Sequence, residues 1–300
     1  MSFVGPSPRG TNVTEVINFV KCHHDTYPKI SPKNFNLAGK SVLVAGASKG
    51  IGKAIAVRYA ASGCSKIAIG ARSSLEDVEK AVKAAAGNAG HPEPTVLVLS
   101  LDVCSEQSVK EASEVVARAF DGSLDVLVVN AGYMIEWTPI AEHDAGEWWK
   151  TVQVSLNGLF LCSSYFIPLL LKSETKLLLA MSSIGAVTIN VGASAYQVAK
   201  VGTCRFIEFA DQEYHTQGLI AIAIHPGAIM TELAEKLPDF LHSNLIDTPE
   251  LPADNILWLT SERREWLSGR YIFSNWDVTE LEGRKDEIVE KNLLKLRMQL

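Results

Sequence analysis

The chain has 300 residues, 47% hydrophobic and 21% charged, with a formal net charge of −6 and a pI near 5.7. That length holds one large α/β domain or two small ones, and the acidic balance without a lysine/arginine block argues against a nucleic-acid or anionic-membrane partner. No stretch approaches the ~18 consecutive apolar residues of a membrane span and the opening residues lack a secretory signal, so a soluble cytoplasmic protein with a small-molecule partner is expected.

Five cysteines (Cys22, Cys64, Cys104, Cys162, Cys204) include no Cys-x-x-Cys pair, which fits reduced, buried thiols better than disulfides or structural zinc. Cys22-His23-His24-Asp25 contains ligand types, but no second cluster follows at metal spacing, and no metal is expected. Asn12-Val13-Thr14 matches a glycosylation acceptor that is idle without a secretory signal.

Residues 1–37 carry Gly5, Pro6, Pro8, Gly10, Pro28 and Pro32 and read as an arm over the domain, with a short helix over Val13 to Lys21. The domain itself, 38–275, opens with the buried strand Lys40-Ser41-Val42-Leu43-Val44-Ala45. Gly46-Ala47-Ser48-Lys49-Gly50-Ile51-Gly52 follows, then an alanine-rich helix from Lys53 to Ala61. Glycines between strand and helix let the chain turn tightly and bring backbone amides onto an anion at the helix N-terminus. This is a phosphate-binding turn, with Gly46, Ser48, Lys49, Gly50, Ile51 and Gly52 as its candidate contacts. The same residues match Gly-x-Ser-x-Gly, a hydrolase elbow with Ser48 as nucleophile and Asp102 and His225 as partners, but such elbows come later in a chain and have no use for Gly52.

A second strand, Ser65 to Gly70, is followed by Ala71-Arg72-Ser73, where an NAD site would place an acid for the ribose hydroxyls. Arg72 stands there instead, and Lys49 lies inside the glycine turn. Two cations flanking a 2′-phosphate favour NADP(H). A helix over Leu75 to Ala86 precedes the third strand, Thr95 to Leu101, with Asp102 and Val103 at its end. Asp102 is placed either for an adenine amino group or to cap the helix from Ser105 to Phe120. The fourth strand, Leu124 to Val129, delivers Asn130-Ala131-Gly132, small residues suited to a cofactor's passage with an asparagine able to tie strands together. Four strand-helix units in a row make a doubly wound parallel sheet, Rossmann-like, of about seven strands in one domain.

Asp144 opens a helix to about Leu171, bent or ended near Pro168. Met134, Trp137 and Trp148 are candidates for a substrate pocket, although Trp148 and Trp149 also suit helix packing. After the strand Leu177 to Met181 come Ser182 and Ser183, and from Ser194 a helix carries Tyr196 and Lys200 on one face. An ammonium beside a phenol lowers the phenol's pKa, which makes Tyr196 a candidate acid/base, Lys200 its tuner and Ser183 a hydrogen bond to the reacting oxygen. A sixth strand, Leu219 to Ile224, ends in His225-Pro226-Gly227-Ala228-Ile229-Met230-Thr231, where Pro226, Gly227, Ile229 and Thr231 can face the nicotinamide and pyrophosphate. Residues 230–248 read as a substrate lid, Pro249 to Ser261 as a helix, Arg270 to Phe273 as a last strand, and 276–300 as a charged helical extension, with Val278 to Met298 reaching beyond the sheet.

Together Gly46/Gly50/Gly52, Asp102, Asn130-Ala131-Gly132, Ser183 thirteen residues before Tyr196, Lys200, and Pro226-Gly227 with Thr231 resemble the short-chain dehydrogenase/reductase family. The arm with His23-His24-Asp25-Thr26-Tyr27-Pro28 and the tail from Ser261 to Arg270 look like members from filamentous fungi, often in natural-product pathways. The resemblance implies that Tyr196 protonates a carbonyl oxygen as hydride leaves the nicotinamide, that Ser183 bonds that oxygen, and that Lys200 tunes the tyrosine and holds the ribose. It also implies a ketone or secondary-alcohol substrate and a homo-dimer or homo-tetramer through the helices from Asp144 and Ser194. One position departs. Where the family has asparagine in Asn-x-x-Gly-x-Phe, holding a proton-relay water, this chain has Ser155, with shorter reach and no amide donor. Asn157 faces elsewhere on the helix. The alternative is non-redox use of the same pocket, by a cyclase, isomerase, dehydratase or nucleotide-binding regulator.

Overall fold

The computed structural model describes residues 14–298. Asn12, Val13 and the glycines and prolines before them lie outside that range, and the expected 13–21 helix is present as Thr14–Ile17 (α1). The apolar, β-branched runs become strands and the longer amphipathic or alanine-rich segments between them become helices. In chain order these are β1 (Ser41–Ala45), α2 (Gly50–Ala61), β2 (Lys66–Ala71), α3 (Glu76–Asn88), β3 (Thr95–Ser100), α4 (Glu106–Ala119), β4 (Val126–Val129), α5 (Ala145–Val152), α6 (Gly158–Leu170), β5 (Leu177–Met181), α7 (Ser194–Tyr214), β6 (Ile220–His225), α8 (Glu250–Ser261), β7 (Arg270–Phe273), α9 (Val278–Gly283) and α10 (Lys285–Glu290).

The strands form one sheet, ordered β3-β2-β1-β4-β5-β6-β7, with every pairing parallel. This is the doubly wound sheet expected. Strands β1, β4, β5, β6 and β7 are buried at every residue, because α2, α3 and α8 cover one face and α4, α6 and α7 the other. The chain winds outward from β1 to β3 and then returns to β1's other side with β4. That reversal opens a crevice at the carboxyl ends of β1 and β4.

Three elements differ from the expectation. The run from Asp144 begins as read, with the Asp144 carboxylate accepting from the Glu147 amide at 2.9 Å, but it widens to π spacing over 153–157 before continuing through Pro168 to Leu170. By length and composition the 145–170 run could cross a membrane, yet 61% of its most apolar window is buried inside the fold, as in a core helix. Asp102 does not cap α4. Ser105 does, accepting from the Ser108 amide at 3.2 Å.

The third difference is the tail, which is two short helices and not one long one. It folds back: the Leu294 carbonyl accepts from the Tyr271 amide at 2.9 Å, the Leu293 carbonyl accepts from the Arg270 guanidinium, and Ile288 is fully buried. A single projecting helix would leave Leu281, Ile288, Leu293 and Leu294 in water, whereas the return buries Leu281 and Ile288, partly buries Leu293 and Leu294, and covers the free edge of β7. The arm is tied to this end of the molecule and to the 230–248 segment. His23 pairs with Asp277 at 2.8 Å, His24 with Asp247 at 2.6 Å, and the Thr26 hydroxyl donates to Asp254 at 2.5 Å. The ligand types of Cys22-His23-His24-Asp25 therefore diverge to separate partners, and all five cysteines are free thiols.

Candidate active site

A cavity of about 670 Å³ opens at the strand-order reversal, between the ends of β1 and β4. The glycine turn forms its floor. Gly46 has φ +92°, and a Cβ there would lie 2.7 Å from the Ala131 amide nitrogen; Gly50, with φ +54°, starts α2. A Cβ on Gly52 would lie 2.0 Å from the Gly46 carbonyl oxygen, so Gly52 sits beneath the turn and not on the cavity wall. The Asn130 amide clasps this arrangement, donating to the Gly46 carbonyl at 2.7 Å, while the Asn130 and Ala131 amides bond the Ala45 carbonyl at 2.9 Å. The first amides of α2 have no intrahelical acceptor, and Ser48, Lys49, Gly50 and Ile51 line the space above them. Donor set and close-packed glycines together fit a dinucleotide pyrophosphate.

At the β2 end, Arg72 is exposed on the wall and makes no hydrogen bond or ion pair among the described residues. Lys49 differs, because its ammonium is paired with Glu232 of the 230–248 segment. Asp102 and Val103 line the same end. The Asp102 carboxylate accepts from the Cys104 amide at 2.9 Å and its own amide donates to the Ser108 hydroxyl at 3.0 Å, which fixes it at the wall.

Tyr196 and Lys200 line the opposite end, with Ala131, Gly132, Pro226 and Thr231 between the two ends. Lys200 is 3% exposed, its ammonium donates to the Met181 carbonyl at 2.7 Å, and it stands 5.4 Å from the centre of the Tyr196 ring. Burial brings its pKa down to about 8, against a small opposing effect of Cys204. The expectation that Lys200 lowers the Tyr196 pKa is corrected. Burial pushes the half-buried phenol up, and the nearby Ser183 side chain opposes the rise. The ammonium is engaged with a carbonyl beneath the ring and not with the phenol oxygen. Ser183 lies just off the cavity wall, its hydroxyl accepting from the Gly185 amide at 3.1 Å.

The short chain dehydrogenase profile matches residues 40–241. The chain belongs to the short-chain dehydrogenase/reductase family. It is 50% identical over 280 residues to the short chain dehydrogenase citE of Monascus ruber, covering 93% of this chain and 96% of that one. It is 29% identical over 244 residues to a 3-oxoacyl-[acyl-carrier-protein] reductase of Thermotoga maritima, covering 79% and 96%. Among solved structures, a short chain dehydrogenase from Shigella flexneri complexed with NADP aligns with TM-score 0.70 at 25% identity, covering 79% of this chain and 98% of that one.

Within this short-chain dehydrogenase, three candidate positions stand off the wall besides Gly52 and Ser183. Gly227 and Ile229 are turned toward Asp247, whose carboxylate accepts from the Ala228 amide at 2.5 Å and would lie 2.7 Å from a Cβ on Gly227. Ser155 is 5% exposed inside the π turn, and its hydroxyl has no hydrogen-bond partner among the described residues. Met134, Trp137 and Trp148 also lie away from the cavity, and the Trp148 indole donates to the Ser194 hydroxyl at 3.1 Å. Sequence reading missed Val154, Met181, Met230, Glu232 and Leu233, which line it. The last three flank Thr231, and their neighbourhood was the available signal.

The hydrolase constellation is not assembled. Ser48 follows β1 and His225 ends β6, three strands away in the sheet order, roughly 14 Å at the usual strand spacing. His225 instead accepts the Ile184 amide on Nδ1 at 3.1 Å.

Proposed function

We propose that this chain is an NADP(H)-dependent reductase of a ketone on a small organic substrate, or a dehydrogenase of the corresponding secondary alcohol. The observation that carries the reading is one cavity with two ends: a glycine-floored turn with the unpaired Arg72 at one, Tyr196 and Lys200 with Ser183 behind them at the other. The fungal relative and the 3-oxoacyl reductase favour a carbonyl substrate of biosynthetic metabolism, and the NADP-complexed structure favours the phosphorylated dinucleotide. Assembly as a homo-dimer or homo-tetramer through α5, α6 and α7 belongs to the same reading, supported by Trp149, Phe160, Val198, Val201 and Phe209, which those helices leave exposed.

A bound nicotinamide dinucleotide supplies hydride chemistry. The chain's own part begins at the floor, where the α2 amides hold pyrophosphate and Arg72 takes the 2′-phosphate. Tyr196 gives its phenolic proton to the carbonyl oxygen, and the Ser183 hydroxyl donates to the same oxygen as negative charge develops there. Burial holds the phenol protonated at neutral pH, the form a proton donor requires. Lys200, its ammonium anchored on the Met181 carbonyl at the cavity wall, would hold the nicotinamide ribose beside Tyr196. In this scheme Ser155 holds a water on the path that returns the proton.

Calorimetric titration with NADPH and NADH, followed by nicotinamide absorbance during reaction with a panel of ketones, tests the reading. NADPH is expected to bind more tightly than NADH, with Arg72→Ala weakening NADPH alone by about tenfold. Tyr196→Phe is expected to keep binding and lose about a thousandfold in kcat. Binding without oxidation on any ketone would move the assignment to non-redox use of the pocket, and failure of both nucleotides to bind would overturn the reading of the glycine turn.

A further inference from the structure

Ser183 lies past the end of β5, where the backbone ladder has stopped. The last regular pairing there matches Met181 to Ile224, and the Ser182 amide then bonds the Ile224 carbonyl at 2.7 Å. Beyond that point polar backbone groups must find partners elsewhere or remain unpaired in the interior. The peptide unit joining Ser183 to Ile184 takes a side-chain partner at each pole, and its carbonyl also accepts from the Ala186 amide of the turn that follows at 2.9 Å. The Tyr271 hydroxyl donates to its carbonyl at 2.6 Å, and its amide donates to His225 Nδ1 at 3.1 Å.

The sheet is built to let these side chains reach it. Tyr271 on β7 is in register with Ala223 on β6, and Ala223 with Ala180 on β5. Side chains at matched positions of parallel strands project from the same face, so two alanines clear the ground that the Tyr271 ring crosses. His225, two residues beyond Ala223, projects from that face too and meets Phe273 edge-on at 4.6 Å, while Phe273 stacks on Trp276 at 4.8 Å. Tyr271 is 5% exposed and His225 6%, so neither side chain has room to leave. Burial brings the His225 pKa down to about 4, against the opposing charge of Asp247, and Nδ1 stays an acceptor at neutral pH with the proton on Nε2.

We propose that Tyr271 and His225 are positioning residues of the active site, which by gripping both polar groups of the Ser183–Ile184 peptide fix its plane and aim the Ser183 hydroxyl at Tyr196. The role rests on the proposed reductase reading. Neither residue touches substrate; both act through Ser183. The turn over 184–186 holds Ser183 locally, through the Gly185 amide on its hydroxyl and the Ala186 amide on its carbonyl, and Tyr271 and His225 tie that turn to the sheet; misplacing a catalytic donor by a fraction of an ångström lowers the rate with no change in what binds.

The test uses the full-length chain with NADPH and two carbonyl probes, isatin and ethyl acetoacetate. Tyr271→Phe removes one hydroxyl at constant shape. His225→Leu removes the acceptor, and His225→Asn restores one near the Nδ1 position. Tyr271→Phe and His225→Leu are expected to lower kcat about tenfold with NADPH affinity by fluorescence titration and KM for the carbonyl unchanged, and His225→Asn to recover most of the loss. Unchanged kcat in the first two variants, a parallel loss of NADPH affinity, or His225→Asn as impaired as His225→Leu would overturn the proposal. Crystal structures of wild type and Tyr271→Phe decide it independently of turnover: a rotated Ser183 hydroxyl supports the role, and an unmoved one refutes it. If wild type reduces neither probe, the reductase reading is what suffers, and the two structures still decide the positioning role.

Discussion

Lys49 and Lys200 line the same cavity in opposite surroundings. The Lys49 side chain is 62% exposed and paired with an equally exposed Glu232, whereas Lys200 is 3% exposed and spends its ammonium on a strand carbonyl. The contrast extends to the walls that carry them. At the end built on the glycine turn the cations Lys49 and Arg72 are exposed and the backbone is crowded, with a Cβ excluded from Gly46 and Gly52. At the Tyr196/Lys200 end the side chains themselves are locked onto backbone groups, Lys200 to Met181, Tyr271 to Ser183, and His225 to Ile184. On the proposed reading, affinity for nucleotide is adjusted by exchanging surface charges, while the chemistry is tied to the core.

The largest effect that separates the walls is expected where backbone is the constraint. Gly52→Ala forces a methyl to within 2.0 Å of the Gly46 carbonyl and 2.7 Å of the Asn130 amide nitrogen, and a backbone carbonyl clasped by Asn130 has nowhere to go. The expected cost is about 3 kcal/mol of unfolding free energy, at the upper end for overpacked sites. A urea midpoint equal to that of wild type would show that the turn yields, and that the nucleotide wall is as soft in backbone as in side chain.

Buried titratable groups provide the next contrast. His225, held near 4 against an ordinary 6.5, contributes stability that is whole above 6.5 and lost as pH falls through about 4. Asp254 lies fully buried beneath the arm, with Thr26 donating to it and Arg58 3.1 Å away, and burial pushes its pKa from 3.8 to about 6. Its contribution runs the other way, whole below 3.8 and lost as pH rises through about 6. Between those limits the two slopes oppose each other. Asp254→Asn is expected to unmask the histidine, so that the variant loses about 3 kcal/mol more than wild type as pH is lowered across this window. Urea titrations at both ends of the window measure it, and equal slopes would mean that Asp254 is ionised throughout.

The parts of the molecule that follow from local pattern were legible in the sequence. Val42, Leu43 and Val44, or Leu177, Leu178 and Leu179, have no plausible place except a sheet covered on both faces, and glycines at 46, 50 and 52 between a strand and a helix demand a tight, amide-lined turn. Side chains whose partners are remote in sequence were not legible. Nothing near Lys49 announces Glu232, nothing near Ser183 announces Tyr271, and no residue type in 153–157 compels the π turn that encloses Ser155. The tail was misread because its charged residues fit one helix, whereas its few leucines and Ile288 decide the path by seeking the edge of β7. The depressed Tyr196 pKa was inferred from the i, i+4 spacing and from the family resemblance, and neither says that the ammonium faces a carbonyl.

The smallest effect expected is at the exposed pair itself. On the proposed cofactor reading, the 2′-phosphate and Glu232 compete for the Lys49 ammonium, so the pair must open before Lys49 can take part in binding. An exposed lysine–carboxylate pair is worth little, because solvent and salt already screen it. Glu232→Gln removes the competitor and is expected to tighten NADPH by about threefold, corresponding to the upper range for such pairs, with NADH unchanged because it lacks the phosphate. Lys49→Ala is expected to weaken NADPH in both the wild-type and the Glu232→Gln backgrounds, and to erase the difference between them. A Glu232→Gln gain that persisted in the absence of Lys49 would mean that Glu232 repels the phosphates directly, and the two walls would then differ in field as well as in packing.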